Sequence, residues 1–97
     1  MIVNERETPE GLLVSVCDRE VLGETFENGE VSLTVDAEFY DGEAASEAEV
    51  VASLSRARVA NIVGTDAVGL AIEHGLIEEA NVLDLDGTLH AQLLRLG

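Results

Sequence analysis

Residues 46–66 read SEAEVVASLSRARVANIVGTD, and the change of rhythm inside them decides the fold class. Ser46 followed three residues later by Glu49 is the signature of a capping box, in which each residue's side chain satisfies the other's backbone N–H. Val50, Leu54 and Ala57 then fall at helical spacing, so the segment predicts a helix from Glu47 to about Arg56. Arg58-Val59-Ala60-Asn61-Ile62-Val63 admits a helix extension or a short strand. Its β-branched residues and the following Gly64 favour the strand. Thr65 is placed to cap a second helix from Asp66 to His74, with Asp66 at the positive end. Gly75 closes that helix as a left-handed residue, and Leu76 offers the apolar contact such an ending favours.

The flanks of this helical centre read as strands. Ile2 to Arg6 forms one strand, Thr8-Pro9-Glu10-Gly11 supplies turn chemistry, and Leu12 to Cys17 returns as the partner of a hairpin. Val21, Leu22 and Phe26 within Arg19–Asn28 suit a short helical turn covering a sheet edge. Glu30 to Asp36 alternates, with Val31, Leu33 and Val35 on one side and Ser32 and Thr34 on the other, as a half-buried strand does. Asn81 to Leu96 is a hairpin around Asp86-Gly87 with two candidate registers. A strict two-residue turn pairs Leu83 with His90 and mixes polar with apolar on each face. A three-residue loop, Asp86 to Thr88, pairs Leu85 with Leu89 and Leu83 with Ala91, and sets Asp84 opposite His90. The hydrophobic pattern favours the longer loop. The expectation is one α+β domain over residues 1–97, antiparallel hairpins with two short helices in the middle.

The 97 residues hold 20 Asp and Glu, five Arg and no Lys, for a formal charge of −15. A hydrophobic fraction of 46% argues against simple disorder at that charge. The acids are scattered, and the longest uninterrupted run is Glu78-Glu79, whereas interaction tails carry blocks of about five or six like charges. Dispersed acidity without Lys points to a cytoplasm of molar salt, where screening suppresses self-repulsion. That makes a haloarchaeal source the expectation. No apolar run approaches the roughly 18 residues of a membrane span, and Met1 to Glu7 lacks the basic start of a secretory leader. One cysteine permits no internal disulfide and fits a reducing cytoplasm. A cytoplasmic location without membrane contact is therefore expected.

Few residues carry recognisable chemistry. In the favoured register His90 lies beside Asp84 and near Gln92, where a carboxylate would raise the imidazole pKa. A surface ion pair is the simpler account of that arrangement. Cys17 is a nucleophile only if a base such as His90 lies within reach; inside an apolar strand it reads as a small buried hydrophobe. Cys17, Asp84 and His90 together form the alternative reactive set of a small enzyme or ligand-binding protein. Asp84, Asp86 and His90 could chelate a cation at the hairpin tip, but the alternating oxygen ligands of a Ca²⁺ loop are missing, so no metal or cofactor is expected. His74 at the end of the second helix is accounted for by the helix dipole. Val63-Gly64-Thr65-Asp66 reads as a plain helix cap, since it lacks the spacing and Lys of a phosphate loop.

Absence of Lys excludes Schiff-base chemistry, and no nucleophile elbow or paired metalloprotease histidines occur, so no catalytic residue is assigned. For nucleic acid, five Arg with Phe26, Phe39 and Tyr40 make neither a basic stripe nor a stacking platform, and DNA binding is not expected. Arg56 and Arg58, with Arg19 nearby in space, could make a small basic patch. Charge complementarity at a helix C-terminus is the simpler reading. Phe39-Tyr40-Asp41-Gly42 is preferred as a plug over the sheet's end to an aromatic recognition loop.

In order, Val16-Cys17-Asp18, Leu22-Gly23-Glu24-Thr25-Phe26, Phe39-Tyr40-Asp41-Gly42, Ala60-Asn61-Ile62-Val63-Gly64 and His90-Ala91-Gln92 resemble the small archaeal proteins catalogued as domain of unknown function four hundred and twenty-four. The resemblance covers nearly the whole chain and implies an archaeal, cytosolic protein with no established activity. It marks Cys17, Asn61, Gly64, His90 and Gln92 as matching recurrent positions, and implies a gene neighbourhood of translation and ribosome maturation. The resulting expectation is a non-enzymatic binding module with a protein or ribonucleoprotein partner. Its contact residues are drawn from Arg56, Arg58, Asn61, Gly64, His90 and Gln92.

Overall fold

The computed structural model describes residues 1–96. In chain order the elements are β1 (Ile2–Thr8), β2 (Gly11–Cys17), a 3-10 turn (Arg19–Val21), β3 (Thr25–Asn28), β4 (Val31–Thr34), α1 (Ala37–Tyr40), β5 (Glu43–Ala44), α2 (Glu47–Arg56), β6 (Val59–Val63), α3 (Thr65–Glu73), a 3-10 turn (Glu79–Asn81), β7 (Leu83–Asp84) and β8 (Leu89–Leu94). The fold is α+β. Six strands form one sheet in the order β5-β1-β2-β6-β8-β7, and β3 and β4 pair separately. All neighbours in the large sheet are antiparallel except β2 and β6, which run parallel. Parallel neighbours need a long crossover, and the chain from residue 18 to residue 58 supplies it, with α2 at its end.

Helix α2 forms where its box predicts: Ser46 Oγ accepts the Glu49 N–H at 3.2 Å, and Glu49 Oε1 accepts the Ser46 N–H at 2.9 Å. Those bonds hold the Glu49 carboxyl below its usual range. Helix α3 ends as expected, with Gly75 at φ +70°, its N–H on the Ile72 carbonyl and the Leu76 N–H on the Ala71 carbonyl. These two bonds are the Schellman pattern. Its start differs from expectation. Gly64 is the N-cap, Thr65 is already helical and gives no side-chain cap, and the free N–H groups of Asp66 and Ala67 donate to the two carboxylate oxygens of Asp18, each at 2.9 Å. Asp18 is nearly buried at the end of β2, so the cap is a tertiary contact.

The register of β2, β6 and β8 sorts the side chains onto two faces. Val3, Val16, Ile62 and Ala91 make one row, and Val14, Ala60 and Leu93 continue that face. Val50 and Leu54 of α2 and Ala67, Val68 and Ala71 of α3 pack on it as the main core. Truncating the fully buried Leu54 would cost about 2–5 kcal/mol. On the opposite face the row Ile2–Cys17–Val63 is covered by Val21, Val35 and Tyr40, a smaller second core.

Two elements depart from the expected layout on that side. Residues 25–28 are a strand rather than part of a helical turn, and the alternating segment forms β4 only over Val31–Thr34. Tyr40 is the plug, while Phe39 is exposed with the Arg6 guanidinium 5.6 Å above its ring.

The closing hairpin adopts the two-residue register. Leu83 pairs with His90, Asp84 with Leu89, and the Leu85 N–H donates to the Thr88 carbonyl at 2.9 Å. Asp86 at φ +42° and Gly87 at φ +122° are the two successive positive-φ residues that a tight primed turn requires. Turn chemistry therefore outweighs the face pattern that favours the longer loop, and Leu83 is left 40% exposed.

Candidate functional site

The second face of the sheet is only partly covered. Below the row Ile2–Cys17–Val63–His90 lie the rows Asn4–Ser15–Asn61–Gln92 and Arg6–Leu13–Val59–Leu94. None of the twelve residues in these rows is acidic, although the chain carries 20 carboxylates in 97 residues. On the β1 side the face is closed. Asn4 Nδ2 donates to the Asp41 carbonyl at 2.7 Å, Arg6 reaches the Glu38 carbonyl at 3.4 Å, and Ser15 is buried. The open part consists of Leu13, Val59, Asn61, Gln92 and Leu94.

At its centre Gln92 Nε2 donates to Asn61 Oδ1 at 2.9 Å across β8 and β6. Among the described residues, Asn61 Nδ2 and Gln92 Oε1 take no protein partner. The pair thus presents donors beside an acceptor, with Leu94 65% exposed next to it. Such a surface can recognise a peptide group, an amide or a base edge. It offers no nucleophile and no general base.

His90 ends the row above, half-buried beside Val63 and Leu83. Asp84 is not its neighbour in register: its Oδ1 accepts the Asp86 N–H at 3.2 Å and its carbonyl accepts Asn28 Nδ2 at 2.7 Å. Burial, with no carboxylate to offset it, holds the His90 imidazole below its ordinary pKa, the reverse of the shift the Asp84 pairing predicts. The sign of the linkage follows. The unfolded chain takes up its proton near about pH 6.5, while the folded chain resists until lower pH. His90 therefore costs no stability above that pH, and stability falls as the pH drops from there toward the folded value. An NMR titration should place the His90 midpoint below that of His in the unfolded chain, and a midpoint above it would contradict this environment.

Cys17 is fully buried among Ile2, Val21, Val35, Tyr40 and Val63, and burial, with the Asp18 charge adding to it, pushes its thiol up to about 11. At neutral pH the thiol is therefore held in its protonated form, which is not the nucleophile. Val63 stands between Cys17 and His90 in the sheet, which puts them two strand spacings, about 10 Å, apart. The structure does not bring Cys17, Asp84 and His90 together. Nor do Asp84, Asp86 and His90 converge as ligands. Among the described residues, three carboxylates that meet within 4.8 Å are Asp18, Glu20 and Asp66, and Asp18 is already committed to the start of α3.

Arg56 and Arg58 lie at the opposite end of β6. Arg56 pairs with Glu5, whose carboxyl also accepts Ser53 Oγ; the Ser53 bond first and then Arg56 lower its pKa. Arg19 does not join them. It follows the C-terminal end of β2, Arg58 precedes the N-terminal end of the parallel β6, and the strand between spans about 16 Å. Arg56 stands in the last turn of α2, as expected, and a second cation joins it there: Arg95, whose Nη1 donates to the Leu54 and Ala57 carbonyls at 2.8 and 2.6 Å. Nothing local in the sequence signals that role. A cleft of about 540 Å³ between β1, β5 and α2 is lined by residues that include Glu5, Glu43, Glu49, Ser53 and Arg56. Glu5, Ser53 and Arg56 there satisfy one another.

The profile of the family described as protein of unknown function (DUF424) matches residues 5–96. The chain belongs to this family. No curated protein matches it. The crystal structure of an uncharacterized conserved protein from Methanopyrus kandleri is similar in fold, with a TM-score of 0.73 and 21% sequence identity, over 99% of this chain and 94% of that one. Among the positions that the resemblance marks in this DUF424 chain, the structure separates two kinds. Cys17 and Gly64 are buried: Gly64 has φ +123°, and a Cβ there would overlap the Asp18 carboxylate. Asn61, Gln92 and His90 share the partly open face.

Proposed function

We propose that this DUF424 chain is a non-enzymatic binding module serving translation or ribosome maturation, and that it holds a protein or ribonucleoprotein partner on the open part of the sheet face. The observation that carries this reading is the solvent-facing Asn61–Gln92 amide pair on a face without carboxylates, in a chain whose net charge is −15. In a chain so rich in acid, the acid is missing from the rows where a partner would desolvate it. Asn61 and Gln92 make the central contacts, Leu13, Val59 and Leu94 supply apolar area, and His90 and Arg58 stand at opposite borders. Arg56 is already paired with Glu5 and contributes little.

The translation setting rests on the gene neighbourhood that the family resemblance implies. Dispersed acidity without Lys supports a haloarchaeal, salt-rich cytoplasm as its location, and no helix among the described residues is long and apolar enough to cross a membrane. The test is affinity capture of the tagged chain from its own lysate in molar KCl, with and without RNase. Ribosomal particles or translation factors should co-purify, and loss on RNase treatment would assign the contact to RNA. Capture of neither overturns the reading.

A further inference from the structure

The open edge of the sheet along β8 carries an inference independent of that reading. Strand β7 covers β8 only at Leu89 and His90, and beyond them, among the described residues, no strand lies on that side. The direction of the exposed backbone follows from the register. The Gly64 N–H bonds to the Leu89 carbonyl and the Arg95 N–H to the Arg58 carbonyl, so the odd residues of β8 point toward β6. The N–H and C=O groups of Gln92 and Leu94 therefore point outward, and among the described residues none of them is hydrogen bonded to backbone or side chain.

An unpaired edge is a template for another strand, and proteins usually blunt it with charge. The opposite edge of this sheet is blunted in that way: β1, beyond its short pairing with β5, carries Glu5, Arg6 and Glu7. The β8 edge presents Gln92 and Leu94, followed by Leu96, which is 83% exposed. Residues 87–96 contain no carboxylate.

We propose that the β8 edge is occupied by the β8 edge of a second copy of this chain, antiparallel about a two-fold axis at Leu94, so that the two sheets become one. Charge selects this occupant. A strand that settles beside a chain of net charge −15 must bring no carboxylate to the contact, and the chain's own segment 87–96 meets that condition. Phase also fits. The outward groups sit on even-numbered residues in both copies, so Leu94 faces Leu94 and Gln92 faces Leu96 with every outward group matched to one pointing back. Four leucines, Leu94 and Leu96 of each copy, then meet on the open face beside Val59. The remaining negative charge of the two copies opposes the contact, so association strengthens as salt screens it.

Sedimentation in molar KCl, with protein raised to millimolar concentration, should show the mass double, and the doubling should weaken at low salt. Amide exchange at Gln92 and Leu94 should slow at least tenfold with association. Gln92→Pro removes an N–H that is unbonded in the single chain, a position where an edge strand tolerates Pro, and Leu94→Glu adds a charge to the seam. Both variants should keep the circular dichroism of the fold and return the mass to one chain. A single-chain mass at every concentration, or a doubled mass that survives both variants, overturns the proposal. No partner is needed for this test, so its failure leaves the reading of the sheet face standing.

Discussion

Gly64→Ala is expected to destabilise the fold by about 3 kcal/mol or more, a large share of the roughly 5–15 kcal/mol typical of a domain this size. Two costs combine. Position 64 has φ +123°, which side chains rarely adopt, and the added Cβ would overlap the Asp18 carboxylate. That carboxylate cannot withdraw freely, because both its oxygens hold backbone N–H groups at the start of α3. Burial pushes the Asp18 pKa up, and those two N–H bonds pull against it, so losing them would leave a poorly compensated buried group. Asp18→Ala alone should cost about 2–3 kcal/mol through the lost cap and the buried donors left behind. In the Asp18→Ala background the cost of Gly64→Ala should shrink, because the clash is gone and only backbone strain remains. Denaturant midpoints at fixed salt for the four chains measure this. A Gly64→Ala penalty under about 1 kcal/mol, or strict additivity, would contradict the account.

Dialysis from molar KCl to low salt is expected to lower the melting temperature by about 10–20 °C, which for a domain of this size corresponds to a loss of about 2–3 kcal/mol. The principal extents are 33 × 27 × 26 Å. Screening reaches only about 3 Å at molar salt, so each carboxylate is isolated there. At about 0.01 M the screening length is about 30 Å and every charge feels every other. With 20 acids against five Arg, the folded chain then carries repulsion that the expanded chain relieves. Scans at micromolar protein keep self-association out of the measurement. A melting temperature indifferent to KCl would contradict the salt-adapted reading of the charge.

The sequence is most legible where structure is set by neighbours along the chain. The Ser46–Glu49 box delivers α2, Gly75 ends α3, and the β-branched run after Arg58 is β6. It is least legible where a distant group decides. A local rule makes Thr65 the cap of α3, yet the chain supplies Asp18, from the far end of β2. The same holds for Arg95, which reaches α2 from beyond β8. In the last hairpin two local signals disagree, and the conformational demand of Asp86-Gly87 outweighs the tidier separation of apolar side chains. That one-residue difference takes Asp84 away from His90 and with it the titrating pair the sequence suggests.

The parallel pairing of β2 with β6 leaves no mark in the sequence. Without it Asn4, Ser15, Asn61 and Gln92 are unrelated polar residues; with it they form one row. Asn61 stands out through the family resemblance alone and Gln92 also as a neighbour of His90, and only the register gives the two a shared surface.

The central claim is that the acid-free face takes the partner, and the most direct measurement places acid there. Asn61→Glu with Gln92→Glu adds two carboxylates to the open face; Ala48→Glu with Ser55→Glu adds the same two to exposed positions of α2. Capture from lysate in molar KCl, where long-range charge effects are screened, compares the two chains with the parent. The account predicts that the face variant loses the partner by at least tenfold while the α2 variant retains it. Equal capture by both would contradict it.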